Sequence, residues 1–412
     1  MDKKILATIE IADHEVRLIV GQFYNGRLNI LKVERVPHEG IRNFKVVNSQ
    51  SVRQAILKSV TNASENIGGE ITRVLVCLPA VDLLVKSTVQ SIAINQYVTE
   101  QNLRTLYNKI TSEKISDNRV LITANITRFH VNGLTTRKIP LNERTRELSA
   151  EADCYYINKN VAFDYLKIIE QTGLEVLDVV IDDLGYAKEA ALFEKSIHHP
   201  VVGVTLERHY TKLSLFNKGQ LITNIYERNS VNSSFEKFKE VYGFTQDIIE
   251  RLFYYNLDVS NVSPSTDPIF VWTTKKGEHT LNQKDILDFV GNDTIQLMDH
   301  IHKVSTPIYD YGNVKFLLSG EASIISGLSE MLKSASDKDT ATYTPTTFGV
   351  KDAAFTSILG VFYHVKDTAL YRNDIPSSLD ESMFYQKNIH REIEEKTKEL
   401  TFTGKLKNLF TD

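Results

Sequence analysis

The chain has 412 residues, of which 42% are hydrophobic and 24% charged, which predicts an ordinary globular protein with room for about two to four domains. A formal net charge of −4 argues against a general nucleic-acid binder, since such proteins are usually basic. Two cysteines cannot supply a disulfide framework or a zinc site alone, and without a signal peptide or an apolar run of about 18 residues we expect a cytoplasmic protein.

The first half of the chain combines period-two strands with amphipathic helices. Strands are predicted at 4–36, 73–80, 119–133 and 149–157. Helices are predicted at 50–67 and 98–110. Thr99 provides an N-cap for the second helix, and Asn132-Gly133 is a hairpin turn signal.

The second half continues the same mixture. Strands are predicted at 174–182 and 200–227, and a strand, glycine turn and helix at 314–328. Helices are predicted at 160–173, 184–193, 231–257, 282–303 and 352–365. From about 369 to 399 the chain is polar and charged, which predicts a linker, and 400–412 is apolar again at helical spacing.

A tight hairpin occurs twice, once in each half. The first turns at Ala12-Asp13-His14-Glu15, and the second lies in the segment that begins near residue 200. Further strands and helices follow each hairpin. This repetition implies two similar α/β lobes that face a cleft.

The order of these elements resembles the actin/chaperone-ATPase superfamily and, within it, the FtsA family of bacterial division proteins. Stretches 87–157 resemble the inserted FtsA lobe, 172–193 the segment between lobes, and 316–328 the adenosine-side glycine motif. The resemblance covers nearly the whole chain. It implies an α/β, actin-like, two-lobed fold with an FtsA-type inserted subdomain.

The same resemblance implies a division into domains. The expected parts are a first-lobe core (1–84, 161–197 and 346–368), an inserted subdomain (85–160), a second-lobe core (198–227 and 306–345), a small second-lobe subdomain (228–305), a flexible linker (369–399) and an amphipathic membrane-targeting helix (400–412).

The nucleotide motifs of this superfamily are degenerate in the chain. The pattern Asp-Ile-Gly-Thr stands as Glu10-Ile11-Ala12-Asp13, and of the second pattern, at 205–211, only Thr211 is kept. The glycine motif keeps Gly320 and Ser323 but has a glutamate after Gly320. The resemblance assigns the cleft to Glu10, Ala12, Asp13, Glu207, Arg208, Thr211, Gly320 and Ser323.

Carboxylates therefore stand where a triphosphate is expected. Two like charges about 4 Å apart repel by roughly 4 kcal/mol at an effective dielectric of 20. Asp13 and Glu207 predict the loss of tight ATP binding and of ordinary hydrolysis, so we expect no catalytic residue and no cofactor. The alternative is an ATP- and magnesium-binding protein whose polymerisation is nucleotide-gated. Arg208 is hypothesised to bridge the lobes by pairing with Asp13 or Glu10.

Two further surfaces follow from the resemblance. FtsA proteins receive the C-terminal tail of the tubulin-like protein FtsZ on the small second-lobe subdomain, here on helices 246–256 and 282–303. The candidate contacts are Arg251, Tyr254, Tyr255, Lys284, Asp285 and Asp288. A membrane-binding stripe is predicted from Phe402, Lys405, Leu406, Lys407, Leu409 and Phe410, although docking of this helix on the protein's own core is the alternative.

The sequence thus predicts an adaptor that tethers FtsZ filaments to the inner face of the cell membrane at the division site. It is expected to self-associate through its actin-like lobes, and many weak tails on one filament would bind a membrane well. An actin-like scaffold of another assembly, such as pilus machinery, is the other alternative. No metal site is expected, because the pairs His198-His199 and His300-x-His302 lack a carboxylate partner motif.

Overall fold

The computed structural model describes residues 4–113, 115, 118–275, 277–372, 375–380 and 384. The strands are β1 (Ile5–Ile11), β2 (Glu15–Tyr24), β3 (Arg27–Pro37), β4 (Ile41–Arg42), β5 (Lys45–Val46), β6 (Arg73–Leu78), β7 (Leu84–Ala93), β8 (Arg119–Val131), β9 (Leu134–Thr136), β10 (Glu147–Asn158), β11 (Glu175–Ile181), β12 (Val201–Leu206), β13 (Thr211–Asn217), β14 (Gln220–Glu227), β15 (Pro268–Thr274), β16 (Gly277–Asn282), β17 (Lys315–Ser319) and β18 (Asp339–Thr342).

The α-helices alternate with these strands along the chain. They are α1 (Ser49–Ile67), α2 (Glu100–Thr111), α3 (Lys159–Glu170), α4 (Asp182–Glu189), α5 (Leu192–Lys195), α6 (Asn232–Tyr242), α7 (Gln246–Asn256), α8 (Gln283–Ser305), α9 (Leu328–Ser336) and α10 (Thr356–Thr368). Short 3-10 helices lie at Thr306–Tyr311, Glu321–Ile324 and Ala353–Phe355. None of the described helices combines the length and the apolarity needed to cross a membrane.

The first lobe is built on a five-stranded sheet in the order β11-β6-β1-β2-β3. Strands β1, β2 and β3 form an antiparallel meander, and β6 and β11 extend it in parallel. Side chains of β1 are buried on both faces of the sheet, as expected where helices cover both sides. Helix α1 packs on β2 and β3, and α10 packs on β1 and β6.

The second lobe repeats this arrangement with the order β14-β13-β12-β17-β18. Strands β12, β13 and β14 again form an antiparallel meander, and β17 and β18 again extend it in parallel. The predicted pair of similar lobes is confirmed. Because β1 and β12 hold equivalent central positions, the two tight hairpins project from equivalent places in the two sheets.

An inserted subdomain with its own apolar core separates β6 from α3. Its sheet has the order β7-β10-β8-β9, and α2 packs on it. The predicted N-cap is confirmed, since the Thr99 hydroxyl accepts the Asn102 N–H at 3.2 Å. The predicted turn is confirmed as well: Asn132 and Gly133 both have positive φ angles, 50° and 77°, and connect β8 to β9.

The small second-lobe subdomain consists of α6, α7, α8 and the β15–β16 hairpin. Its core is rich in aromatic rings, including Phe235, Phe238, Phe244, Phe253 and Trp272. The helical stretch predicted at 231–257 is interrupted, because α6 ends at Tyr242 and α7 begins at Gln246. Gly243 has a φ of 66°, a left-handed conformation that terminates helices.

The chain beyond α10 returns to the first lobe. The Ser378 N–H donates to the Ile5 carbonyl at 2.8 Å, and the Ser378 carbonyl accepts the Thr72 N–H at 3.1 Å. Leu379 is buried. The predicted start of a flexible linker at residue 369 is therefore too early, because 375–380 are tied to the base of the sheet. The predicted membrane helix at 400–412, and with it the candidate membrane residues Phe402 to Phe410, lies outside the described residues.

Candidate functional site

Two hairpins with the same backbone hydrogen bond face each other between the lobes. In the first, the Ala12 N–H donates to the Glu15 carbonyl at 2.9 Å; in the second, the Glu207 N–H donates to the Tyr210 carbonyl at 3.0 Å. The His209 N–H crosses between them and donates to Asp13 Oδ2 at 3.0 Å. The two turns that the sequence places on opposite sides of a cleft are therefore in direct contact.

Arg17, on β2, occupies the centre of this contact and is only 1% exposed. Its Nη2 lies 2.6 Å from Glu207 Oε2, and its Nη1 lies 3.3 Å from Glu207 Oε1, a forked pair between the lobes. Nε donates to Glu15 at 2.6 Å, and Nη1 also reaches Glu10 at 3.2 Å and the Ala354 carbonyl at 2.9 Å. The surrounding carboxylates raise the pKa of Arg17, against the effect of burial. Arg17 is thus a buried internal cation that joins three carboxylates.

A second ion cluster surrounds Glu321, which is 1% exposed. Its carboxylate lies 2.6 Å from Arg208 Nη2, 3.1 Å from His14 Nε2 and 3.5 Å from Arg35 Nη2. Burial alone would raise the pKa of Glu321, but His14 and Arg208 hold it well below its ordinary value. Because His14 and Arg35 belong to the first lobe, Glu321 also links the lobes.

The hypothesis that Arg208 bridges the lobes through Asp13 or Glu10 is wrong. Arg208 pairs instead with Glu250 at 2.6 Å and with Glu321, and both partners belong to the second lobe. The physical reason is the direction of the hairpin: Arg208 points toward α7, whereas Glu207, one position earlier, points toward Arg17. Arg17 is the bridge that the sequence hypothesis assigned to Arg208.

A histidine–carboxylate–histidine chain lies at the tips of the turns. His14 Nδ1 is 2.6 Å from Asp13 Oδ1, and His209 Nδ1 is 2.8 Å from Asp13 Oδ2. Asp13 is buried, and the side chain of His209 is 45% exposed. Burial opposes the charged form of His14, but Glu321 and Asp13 raise its pKa to about 10.

A third ion cluster lies deeper between the lobes and was not anticipated. Lys212, fully buried on β13, places its Nζ 2.6 Å from Asp182 and 3.0 Å from Asp183, at the start of α4. Asn224 donates to Asp183 at 2.5 Å and to the Ala80 carbonyl at 2.9 Å. The available signals were a lysine in a strand that follows the second hairpin turn and a pair of aspartates at a helix start. Neither signal indicates which residue the charged group pairs with.

The remaining predicted cleft residues are structural. Ala12 is buried in its turn, and the hydroxyl of Thr211, at the start of β13, donates to the Asn229 carbonyl at 2.7 Å. Gly320 has a φ of 90°, and a Cβ there would lie 2.7 Å from the Leu206 carbonyl oxygen, so glycine is required. The Ser323 hydroxyl closes this turn by donating to the Gly320 carbonyl at 2.8 Å.

These residues do not fit magnesium–ATP. Phosphates in such hairpins need free backbone N–H groups and room for close approach. Here the N–H groups of Ala12 and Glu207 bond within their own turns, and that of His209 bonds to Asp13. The side chains of Glu207 and Glu321 fill the space between the turns with negative charge that is already neutralised by the protein's own cations.

Glu10 makes stability depend on pH in a defined direction. Burial raises its pKa, Arg17 lowers it in part, and the net value is about 7, against an ordinary 4.5. Between these values the folded protein binds more protons than the unfolded chain, so this contribution to stability is complete below about pH 4.5 and is lost as the pH rises through 7.

The substitution Glu10→Gln removes this pH-dependent contribution to stability. Urea unfolding should show the variant gaining stability relative to the parent, by up to about 3 kcal/mol, as the pH rises from about 5 to 8. Glu147→Gln, at an exposed glutamate, is the control, and parallel profiles for Glu10→Gln and the parent would refute the assignment.

The candidate FtsZ contacts lie on α7 and α8, and all but one of them are exposed. Tyr254 points inward, where its ring lies 5.6 Å from that of Phe235, so it is removed from the candidate surface. Tyr255 is 72% exposed, and Arg251, Lys284, Asp285 and Asp288 are exposed as well. The two helix ends meet, because the Gln283 amide donates to the Asn256 carbonyl at 3.1 Å.

Curated proteins similar to this chain have one name in common. The chain is 21% identical over 371 residues to the cell division protein FtsA of Staphylococcus epidermidis, covering 87% of this chain and 78% of that protein. It is 22% identical over 372 residues to FtsA of Enterococcus hirae, covering 86% and 81%. The chain is a divergent relative of FtsA. No protein-family model matches the chain.

Solved structures show the fold of this FtsA relative. A chain of the PilM-PilN type IV pilus biogenesis complex superposes with a TM-score of 0.55 at 10% identity, covering 87% of this chain and 98% of that one. The ethanolamine utilization protein EutJ from Carboxydothermus hydrogenoformans gives a TM-score of 0.52 at 10% identity, covering 88% and 90%. The fold is actin-like, as the sequence predicted.

Proposed function

We propose that this protein is a cell-division adaptor that tethers FtsZ filaments to the cytoplasmic membrane. The observation that carries the proposal is similarity to FtsA proteins over 86–87% of the chain. The pilus-scaffold alternative is supported only by a shared fold at 10% identity. Self-association through the lobes, at the division site, is part of the proposal.

The FtsZ tail would bind where α7 meets α8. This joint presents an exposed aromatic ring, Tyr255, beside charged side chains of both signs. Exposed tyrosines commonly anchor peptides, because the ring buries a large apolar area with little loss of conformational freedom. The buried face of α7 is held by aromatic packing, so the helix is a firm support for such a contact.

The adaptor would work without ATP. Arg17–Glu207, His14–Glu321 and Asp13–His209 connect the lobes through groups that belong to the chain itself. A bound nucleotide is therefore not needed to hold the lobes together. The nucleotide-gated alternative requires these ion pairs to open, and titration of the full chain with magnesium–ATP distinguishes the two.

Vesicle flotation with purified FtsZ tests the tether in one assay. The full chain should float with anionic vesicles and bring FtsZ with it. A 1–399 truncation should lose both, because it lacks the Phe402–Phe410 stripe. Tyr255→Ala should float normally but recruit at least about tenfold less FtsZ, the expected loss for one aromatic anchor.

Controls separate surface effects from misfolding. Phe348→Ala removes another ring, 93% exposed and outside α7 and α8, and should leave recruitment unchanged. Equal flotation of the truncated and full chains would remove the tail from the proposal and favour its docking on the protein itself. Normal FtsZ recruitment by Tyr255→Ala would move the contact away from the α7–α8 joint.

A further inference from the structure

Asp13, His14 and His209 bring three potential metal-ligating atoms within 4.8 Å of one another. Two come from the first lobe and one from the second. No sequence motif connects them, because about 195 positions separate His14 from His209. We propose that this cluster binds a divalent transition-metal ion of the zinc class, and that the ion links the two hairpin turns.

The donor atoms have the chemistry that such an ion prefers. Imidazole nitrogens suit zinc, copper and nickel, and a carboxylate oxygen completes many zinc sites. Three protein ligands leave one position for water, the arrangement of an open zinc site. Because 45% of the His209 side chain is exposed, the ion can enter from solvent. A cavity of about 370 Å³, lined by His209, Arg228 and Asn232, opens beside it.

A supporting contact behind the cluster is independent of the ligand distances. Histidines that ligate a metal usually donate their other ring N–H to a carboxylate, which fixes the ring. His14 would ligate through Nδ1, and its Nε2 lies 3.1 Å from Glu321 Oε2. Glu321 is in turn held by Arg208 at 2.6 Å. Arg208, Glu321 and His14 thus place a charged carboxylate next to the second ring nitrogen of His14, where metal-ligating histidines usually have one.

Little movement is needed to admit the ion. Ligand atoms about 2.0–2.1 Å from a tetrahedral zinc lie roughly 3.3 Å from one another. The two nitrogens now lie 2.6 Å and 2.8 Å from the Asp13 carboxylate. Reaching that spacing opens the His209–Asp13 pair by about 0.5 Å, which the exposed His209 ring can provide, and the buried His14–Asp13 pair by about 0.7 Å. The cation would then replace the protons that these groups now share.

The test is a titration of the full chain, freed of metal with a chelator, with zinc chloride. We expect saturable binding of one equivalent, a raised unfolding temperature and a visible tetrahedral spectrum when cobalt replaces zinc. His209→Gln removes the most exposed ligand and should weaken binding at least about tenfold. His130→Ala removes a surface histidine that pairs with Glu151 at 2.9 Å outside the cluster, and should bind as the parent does.

Two ligand variants show whether a bound metal lies at the proposed cluster. Circular dichroism of His209→Gln confirms folding before titration, and Asp13→Asn is the second variant, which should also lose the cobalt spectrum. Absence of saturable zinc binding by the folded parent would overturn the proposal. So would parent-like affinity in His209→Gln, because the metal would then lie elsewhere on the chain.

Discussion

Replacing Arg17 with methionine is expected to destabilise the folded protein by about 3–5 kcal/mol, the range found when one partner of a buried ion pair is removed. Methionine keeps much of the side-chain volume but leaves Glu207, Glu15 and Glu10 close together without their shared cation. Glu207 is 3% exposed and Glu15 is 5% exposed, so water cannot take the place of the guanidinium. The loss would come mainly from uncompensated negative charge.

Equilibrium urea unfolding measures this effect, with the midpoint and slope compared between variants. Arg251→Met is the matched control, because Arg251 pairs with Asp247 at 3.0 Å while both side chains are about 70% exposed. An exposed pair of this kind contributes about 0.2–1 kcal/mol at most. The contrast tests burial, since both substitutions are identical and both remove an arginine–carboxylate pair.

A double variant makes the assignment sharper. In Arg17→Met/Glu207→Gln the most deeply paired carboxylate is neutral, so part of the lost stability should return. A positive coupling of about 1 kcal/mol or more between the two positions is expected for groups in direct contact. A loss below about 1 kcal/mol in Arg17→Met would contradict the role given to Arg17, and independent effects of the two substitutions would contradict the bridge to Glu207.

Local signals in the sequence were sufficient for most of the fold. Asn132-Gly133 predicts its hairpin because both residues tolerate the positive φ angles that a two-residue turn requires. Thr99 predicts the start of α2 because its hydroxyl satisfies a free N–H of the first turn. The two hairpins could be recognised as equivalent because apolar and polar residues alternate along the strands of each. Gly243 was the missed signal, since a glycine in a helical pattern indicates an end as readily as an interruption.

The site was predictable only in part. The sequence showed that acidic residues, Asp13 and Glu207, stand in the turns that are expected to bind phosphates. The structure places both side chains between the lobes. It did not show Arg17 as the neutralising cation, because a charged residue in a strand is usually solvent-exposed. Lys212 escaped notice for the same reason. Their partners come from distant segments, and alternation along one strand says nothing about what a facing lobe provides.

Titration of the full chain with magnesium–ATP is expected to give no saturable heat up to about 1 mM nucleotide. To reach the turns, the triphosphate would have to open the Arg17–Glu207 pair, and opening a buried pair costs about 3–5 kcal/mol. Each 1.4 kcal/mol is a factor of ten in affinity, so this step alone would weaken binding by about 10² to 10³ or more. The N–H groups of Ala12, Glu207 and His209 in these turns are already bonded within the protein.

Thermal unfolding provides a second readout that does not depend on heat of binding. A ligand at about 100 times its dissociation constant stabilises the folded state by about 2.7 kcal/mol, so a true ATP site would raise the unfolding temperature visibly. We expect no shift with ATP in a sample that still unfolds cooperatively. Saturable micromolar binding with a matching shift would mean that the hairpins open and exchange their ion pairs for phosphate, and the nucleotide-gated form of the adaptor would then replace the one proposed. If ATP does not bind, the lobes are held together by side chains that nucleotide exchange cannot release. Assembly would then have to be regulated at the proposed FtsZ and membrane surfaces instead.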